Sequence, residues 1–364
     1  MYQEFRGVRL MAYSTIKDPS AHFQTALYTG TGQQNNSVVN DGNSDLQPDL
    51  IWMKSRNNGY SHYLVDSSRG RDKGLYPDGD NSEVTASTSA KDLQSFDTDG
   101  FTVGEPEDAN STNATSSSGV AWQWKANGGT TSSNTDGDIT STVQANQDAG
   151  FSIVTYTGNT SNNQTVGHGL GAVPGIILIR NRSRVETWRF NHQSINNGIG
   201  MCQFNTDAAY NTTGTTLMNV AATSSVFSVS TDWSVNGNYP FVAWCWAEKQ
   251  GYSKFGKYGG NGSDDGPFVY TGFKPAFLIM KRTDSTGNWV MFDTKRDTHN
   301  VTKHRLFPNL ANSDNTTRNY IDLLSNGFKM RNTDVDHNAS GATIIYMAFA
   351  ENPFVAGGIP TTAR

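Results

Sequence analysis

The chain has 364 residues, of which 35% are hydrophobic and 17% charged, with a net charge of −5; an average soluble domain has about 45–50% and about 25%. The balance is Gly, Ser, Thr, Asn and Gln, while 8 Trp, 14 Tyr and 18 Phe exclude a disordered chain, which is poor in aromatics. Helical bundles, which need Ala, Leu, Glu and Lys, are disfavoured, and a pI near 5.8 without a basic block argues against a nucleic-acid partner.

In chain order, residues 1–20 read as an N-terminal arm. They lack the apolar core of a secretory signal, and Met11-Ala12-Tyr13 offers a second start, so residues 1–10 are expected outside the fold. Residues 21–126 form a first β unit. Its elements are Phe23–Gly30 ending in Tyr28-Thr29-Gly30, Pro48–Arg56 as an apolar strand ending in basic residues, and the alternating strand His62–Asp66. The turn-strand Asp99–Val103 follows, and then Val120–Trp124, whose Trp122 and Trp124 lie two apart and so share one strand face. The polar run 105–119 reads as an exposed loop.

The Gly/Ser/Thr-rich stretch 127–149 reads as a linker. The same elements then recur in 150–249: Phe151–Gly158, Pro174–Arg182, Trp188–His192, Val226–Val229 and Val242–Glu248. A Gly/aromatic linker is expected at 250–265. The third unit, 266–356, opens on Phe268–Gly272 and continues through Pro275–Arg282, Trp289–Asp293, Asn326–Met330 and Tyr346–Glu351, with a tail at 357–364. Runs of 4–8 Val, Ile, Phe, Trp and Tyr bounded by Gly, Pro, Asn and Asp are strand signals. Only 206–222 is ambiguous between helix and coil. The expected fold is all-β, with three tandem antiparallel β-sandwich-like repeats and little helix.

No catalytic signature appears. The seven histidines make no metal spacing. Cys202 and Cys245 form neither a ligand pair nor a disulfide framework; Cys245, between Trp244 and Trp246, reads as a buried thiol. Gly167-His168-Gly169-Leu170-Gly171 has no phosphate-loop ending, and the Asp-Gly turns read as turn chemistry without a metal. Asp66, His192 and Asp293 fall at equivalent positions, which suits a structural hydrogen bond. No enzyme activity, cofactor or metal is expected, and no run is apolar enough to insert in a membrane.

Residues shared by all three units specify fold, so a ligand site belongs where the units differ, on loops carried by a rigid scaffold. Those segments are 57–61, 104–119, 191–214, 232–238 and 297–319. In or beside them Tyr60, Tyr210, Trp233 and Tyr239 are the large amphipathic side chains able to stack on a sugar ring.

Tyr156–Gly158, Gly167–Pro174, Ala247–Gly256, Gly266–Pro275 and Met347–Phe354 resemble, in the same order, a family of tail-fibre-like structural proteins of marine tailed phages. The resemblance runs from about Met11 to Phe354. It implies localisation in the virion, with other virion proteins as partners. A tail-fibre or host-recognition role against a host surface glycan or protein follows, in a homo-oligomer expected to be a trimer by analogy with fibres. The alternatives are a capsid or tail decoration protein and a carbohydrate-binding or carbohydrate-active domain.

Overall fold

Three antiparallel sheets, of four, seven and four strands, share one order over four main strands and make the body of the protein, seen here in a computed structural model that describes residues 14–107, 113–211, 217–353, 355–356 and 359–360. The expectations for residues 1–10 and for Met11 lie outside the described residues, as does most of 357–364. The strands are β1 Phe23–Thr29, β2 Leu50–Ser55, β3 Tyr63–Asp66 and β4 Ser118–Trp124 in unit 1. Unit 2 has β5 Phe151–Thr157, β6 Ile176–Asn181, β7 Arg189–His192 and β8 Pro240–Trp246. Unit 3 has β9 Ser253–Gly259, β10 Phe273–Arg282, β11 Val290–Asp293 and β12 Thr343–Pro353. The orders are β1-β4-β2-β3, β5-β8-β6-β7 and β9-β12-β10-β11.

A smaller sheet packs on the outer face of each. It is built from Asn36–Val38, Gly100–Val103 and Leu93–Asp97 in unit 1, and from Gln164–Gly167 with Val226–Val229 in unit 2. In unit 3 it is Phe268–Tyr270, Gly327–Met330 and Ile321–Leu324. Apolar residues of both layers close each sandwich, such as Ile51, Met53 and Val65 against Val38, Phe101 and Val103 in unit 1. The one helical segment longer than a 3-10 turn among the described residues is α1, Trp233–Asn236.

The inner faces of the three main sheets share a single aromatic core. Trp124 lies 6.0 Å from Trp246 of unit 2, and 5.6 and 5.7 Å from Phe277 and Phe349 of unit 3, ring centre to ring centre. Phe190 of unit 2 lies 4.7 Å from Trp289 of unit 3. This explains why β2 and β6 are buried at every residue: one face serves its own sandwich and the other the common core. The units are therefore fused about a centre, and sequence periodicity alone had suggested only three sandwiches in a row.

Polar bonds at the junctions follow the same threefold scheme. Trp188 Nε1 donates to the carbonyls of Tyr76 and Gly79 (3.1 and 3.0 Å), and Trp289 Nε1 donates to that of Gln203 (3.1 Å). In unit 1 His62 replaces the indole. Trp52 Nε1 donates to His62 Nδ1 at 2.9 Å, so Nε2 carries the proton and donates to the Phe307 carbonyl at 2.9 Å.

Beneath these bonds, Trp244 Nε1 donates to Asp66 and Trp122 Nε1 to Asp293, both at 3.1 Å. Arg69 and Arg296, three residues beyond each aspartate, bind it at 2.7 and 2.6 Å with fully buried side chains. At the third junction all three partners change together: Met347 stands for the Trp, His192 for the Asp and Ile195 for the Arg. His192 Nε2 instead donates to the Tyr346 carbonyl at 3.1 Å, its Nδ1 accepting from the Ser194 N–H.

Two expectations are corrected. The segment 250–265, read as a linker, holds β9, whose Tyr258-Gly259-Gly260 takes the place of Tyr28-Thr29-Gly30 and Tyr156-Thr157-Gly158. Gly30, Gly158 and Gly260 donate to the carbonyls of Ser117, Tyr239 and Ala342 respectively. Phe268–Tyr270, expected to open unit 3, belongs to its outer sheet. Glycine misled the reading: Gly256 sits under the Tyr346 ring, where a Cβ would come within 2.6 Å of its hydroxyl. The second correction concerns 127–149, also read as a linker, which adds strands Ser132–Asn134 and Ser141–Asn146 to the free edge of β5.

Candidate functional site

An exposed aromatic surface lies on unit 2, where the chain passes from the outer sheet back to β8; in unit 3, Phe268 and Tyr270 of the outer sheet are exposed as well. Asp232 caps α1 by accepting from the Ser234 N–H at 2.9 Å, which seats Trp233 at the first helical position. Buried Asn236 donates to the Ser161 carbonyl at 2.7 Å and ties the turn to the sandwich. Gly237 then lets the chain fold back: a Cβ there would meet Tyr239 at 2.8 Å and Trp233 at 3.2 Å.

Trp233 is 52% exposed, and its ring centre is 5.9 Å from that of half-buried Tyr239, with the planes 44° apart. The Arg184 guanidinium lies over both rings, 5.2 Å from Trp233 and 5.1 Å from Tyr239, and donates to the Tyr239 hydroxyl at 3.0 Å. Cation–π contacts of this kind contribute roughly 0.5–1 kcal/mol at exposed sites and hold both rings in one attitude.

Beside this cluster is an open cleft of about 320 Å³ at the junction of units 1 and 2, lined by Ser82, Glu83, Arg182, Ser183 and Pro240. Ser183 and Pro240 are covalent neighbours of Arg184 and Tyr239, so the cleft and the ring cluster adjoin. Arg182 grips both Glu83 oxygens at 2.8 and 2.9 Å, and Arg69 reaches Glu83 at 2.8 Å from beneath. Burial works to raise the Glu83 pKa, but Arg182 and Arg69 together hold it below the ordinary glutamate value. The cleft thus offers a fixed carboxylate–guanidinium pair beside an exposed aromatic face.

Of the four aromatic candidates, Trp233 and Tyr239 come together here. Tyr60 is half-buried in another loop. Tyr210 is a correction: it is 8% exposed and belongs to the common core, and its hydroxyl donates to the Gly200 carbonyl at 2.7 Å. Burial raises its pKa. Sequence reasoning missed Arg184, whose position two residues after Arg182 carried no pattern.

The arrangement suits binding by stacking and bidentate hydrogen bonds. Among the described residues no group of three or more His, Cys, Asp or Glu could hold a metal ion. Both cysteines are buried, and burial pushes the Cys202 thiol up to about 12, far from a reactive thiolate.

Fold and surface define an all-β body of three fused sandwich units carrying a loop-borne aromatic cluster. The chain belongs to the family defined by DUF7483, a domain of unknown function, which matches residues 18–353. No curated protein and no solved structure matches it.

Proposed function

We propose that this chain is a non-enzymatic adhesin, a structural protein of a phage virion that recognises a host surface glycan. The observation that carries the reading is the exposed Trp233 face, braced by Arg184 and Tyr239 next to the Glu83–Arg182 pair. An exposed indole stacks on the apolar face of a pyranose, and a carboxylate–guanidinium pair exchanges hydrogen bonds with vicinal hydroxyls. Resemblance to tail-fibre-like proteins supports the virion setting, with other virion proteins as partners and several copies giving avidity to weak single contacts.

The rigid fused core supports the same reading, because loops on such a scaffold hold a binding geometry at small entropic cost. The test is retention of fluorescently labelled protein on bacterial cells, with Trp233→Ala as the comparison. Saturable retention that falls about tenfold or more in the variant is expected. Absence of retention on every host tested, or retention indifferent to Trp233, overturns the proposal.

A further inference from the structure

Among the described residues, unit 2 differs from units 1 and 3 in having an extra strand, Ser141–Asn146, on the edge of its first main strand. From that strand Gln144, fully buried and paired with Ile153, fills the junction with unit 1. Its amide donates to the Ser67 and Ser68 hydroxyls at 2.9 and 2.8 Å, and its oxygen accepts from the N–H groups of Asn127 and Gly129 at 3.1 and 2.8 Å. The hydrogen-bond register gives the corresponding positions at the junction of units 1 and 3. Thr25 corresponds to Ile153 (opposite Trp122 and Trp244), and Thr294 and Lys295, after Asp293, correspond to Ser67 and Ser68.

No strand of the described residues covers the β1 edge at that junction. A cavity of about 300 Å³ lies there instead, lined by Thr25, Thr294 and Lys295 together with Gln24, Asn43 and Ala276. Lys295 closes its rim through an ion pair with Asp41 at 2.6 Å. Thr25 is 5% exposed, and its hydroxyl has no hydrogen-bond partner among the described residues. A buried hydroxyl left unpaired costs on the order of 1–3 kcal/mol, an energy that a partner reaching it from the cavity would recover. A second lobe of about 230 Å³ shares Thr294 and Thr298 and continues toward Lys274, Asp297 and Asn300.

We propose that this two-lobed cavity binds a short neutral saccharide, one hexose in the first lobe and its neighbour in the second. The occupant replaces what Gln144 supplies at the equivalent junction: a small, uncharged group with several donors and acceptors. Hydroxyls and amides dominate the polar lining of the first lobe, where the cation Lys295 is already paired with Asp41, and the second lobe carries one Lys and one Asp, Lys274 and Asp297, of opposite charge. Ala276 and Phe23 supply the apolar contact that a sugar's C–H face requires. The site is separate from the Trp233 surface and stands or falls without it.

Glucose, galactose, mannose and their β1-4 and α1-4 disaccharides, titrated into the full chain and followed by saturation-transfer NMR, test this. At least one is expected to bind with a Kd of roughly 1–10 mM, the range of a few hydrogen bonds in a small pocket. Thr25→Val is expected to weaken it about three- to tenfold, as loss of one hydrogen bond does, with the thermal midpoint unchanged or higher. Ala276→Leu, which fills the first lobe, should abolish binding, and Trp233→Ala should leave it intact. The proposal is overturned if none of these sugars binds, or if binding is unaltered in both Thr25→Val and Ala276→Leu. Binding lost only in Trp233→Ala also overturns it, because that places the sugar on the other surface.

Discussion

Replacing Trp124 with Ala removes the side chain on which all three sheets converge. The indole is 2% exposed and lies within 5.0–6.0 Å, centre to centre, of Phe23, Trp246, Phe277 and Phe349. An aromatic of this kind buries roughly 150–250 Å², which at about 25 cal/mol/Å² comes to about 4–6 kcal/mol. Measured large-to-small truncations of Phe and Trp cost about 3–5 kcal/mol, and the overlap sets the expectation at about 4 kcal/mol. Because the ring belongs to units 1, 2 and 3 at once, the loss should lower the whole unfolding transition. Urea denaturation followed by tryptophan fluorescence and far-UV circular dichroism should show coincident transitions, both moved to lower urea. A loss below about 1 kcal/mol, or a two-step curve in which two-thirds of the signal keeps its original midpoint, would refute a shared core.

Three further outcomes are expected. Asp66→Asn leaves the fully buried Arg69 guanidinium with Glu83 as its remaining anion; because that pair survives, the cost should fall at or below the low end of the about 3–5 kcal/mol that an uncompensated buried charge costs, to be read as a lower thermal midpoint. Acid should destabilise the chain: burial holds His192 down to about 4 and His62 well below its ordinary 6.5. The unfolded chain therefore binds protons first as pH falls below about 6.5, and stability drops toward pH 4 by on the order of 3 kcal/mol for His192 alone; His192→Asn should flatten that slope in pH-dependent denaturation. Gly100→Ala forces a Cβ at φ 101° to within 2.0 Å of the Val38 carbonyl and should cost at least about 1–3 kcal/mol, measured by the same urea titration.

Much of the fold was legible because aromatic strands with fixed punctuation are strong local patterns. Pro48 and Pro174 precede the central strands, and Trp122 and Trp124 both face inward as their spacing requires. The equivalence of Asp66, His192 and Asp293 was legible as well, and so was a structural role for the first and last of them. What they bond was not, because the partners Trp244 and Trp122 lie 178 and 171 residues away in sequence. Strand β9 was hidden by its own glycines, which in sequence look like a flexible joint, although Gly256 is there to make room for the Tyr346 ring. Tyr210 and Trp233 looked alike as loop aromatics; only the tertiary packing separates one buried against Gly200 from one left in solvent. The idea that a ligand site lies where the units differ pointed to loop residues alone. It took no account of the β1 edge, which no strand of the described residues covers and beside which a cavity lies.

The most direct test of the central claim is binding of the labelled chain to an array of bacterial surface glycans, measured for the unaltered protein and for Trp233→Ala. The account predicts saturable binding to a restricted set of glycans and a loss of about tenfold or more in the variant, equivalent to about 1.4 kcal/mol, with thermal stability unchanged because Trp233 lies outside the core. An array that retains nothing, or that retains both proteins equally, would contradict it.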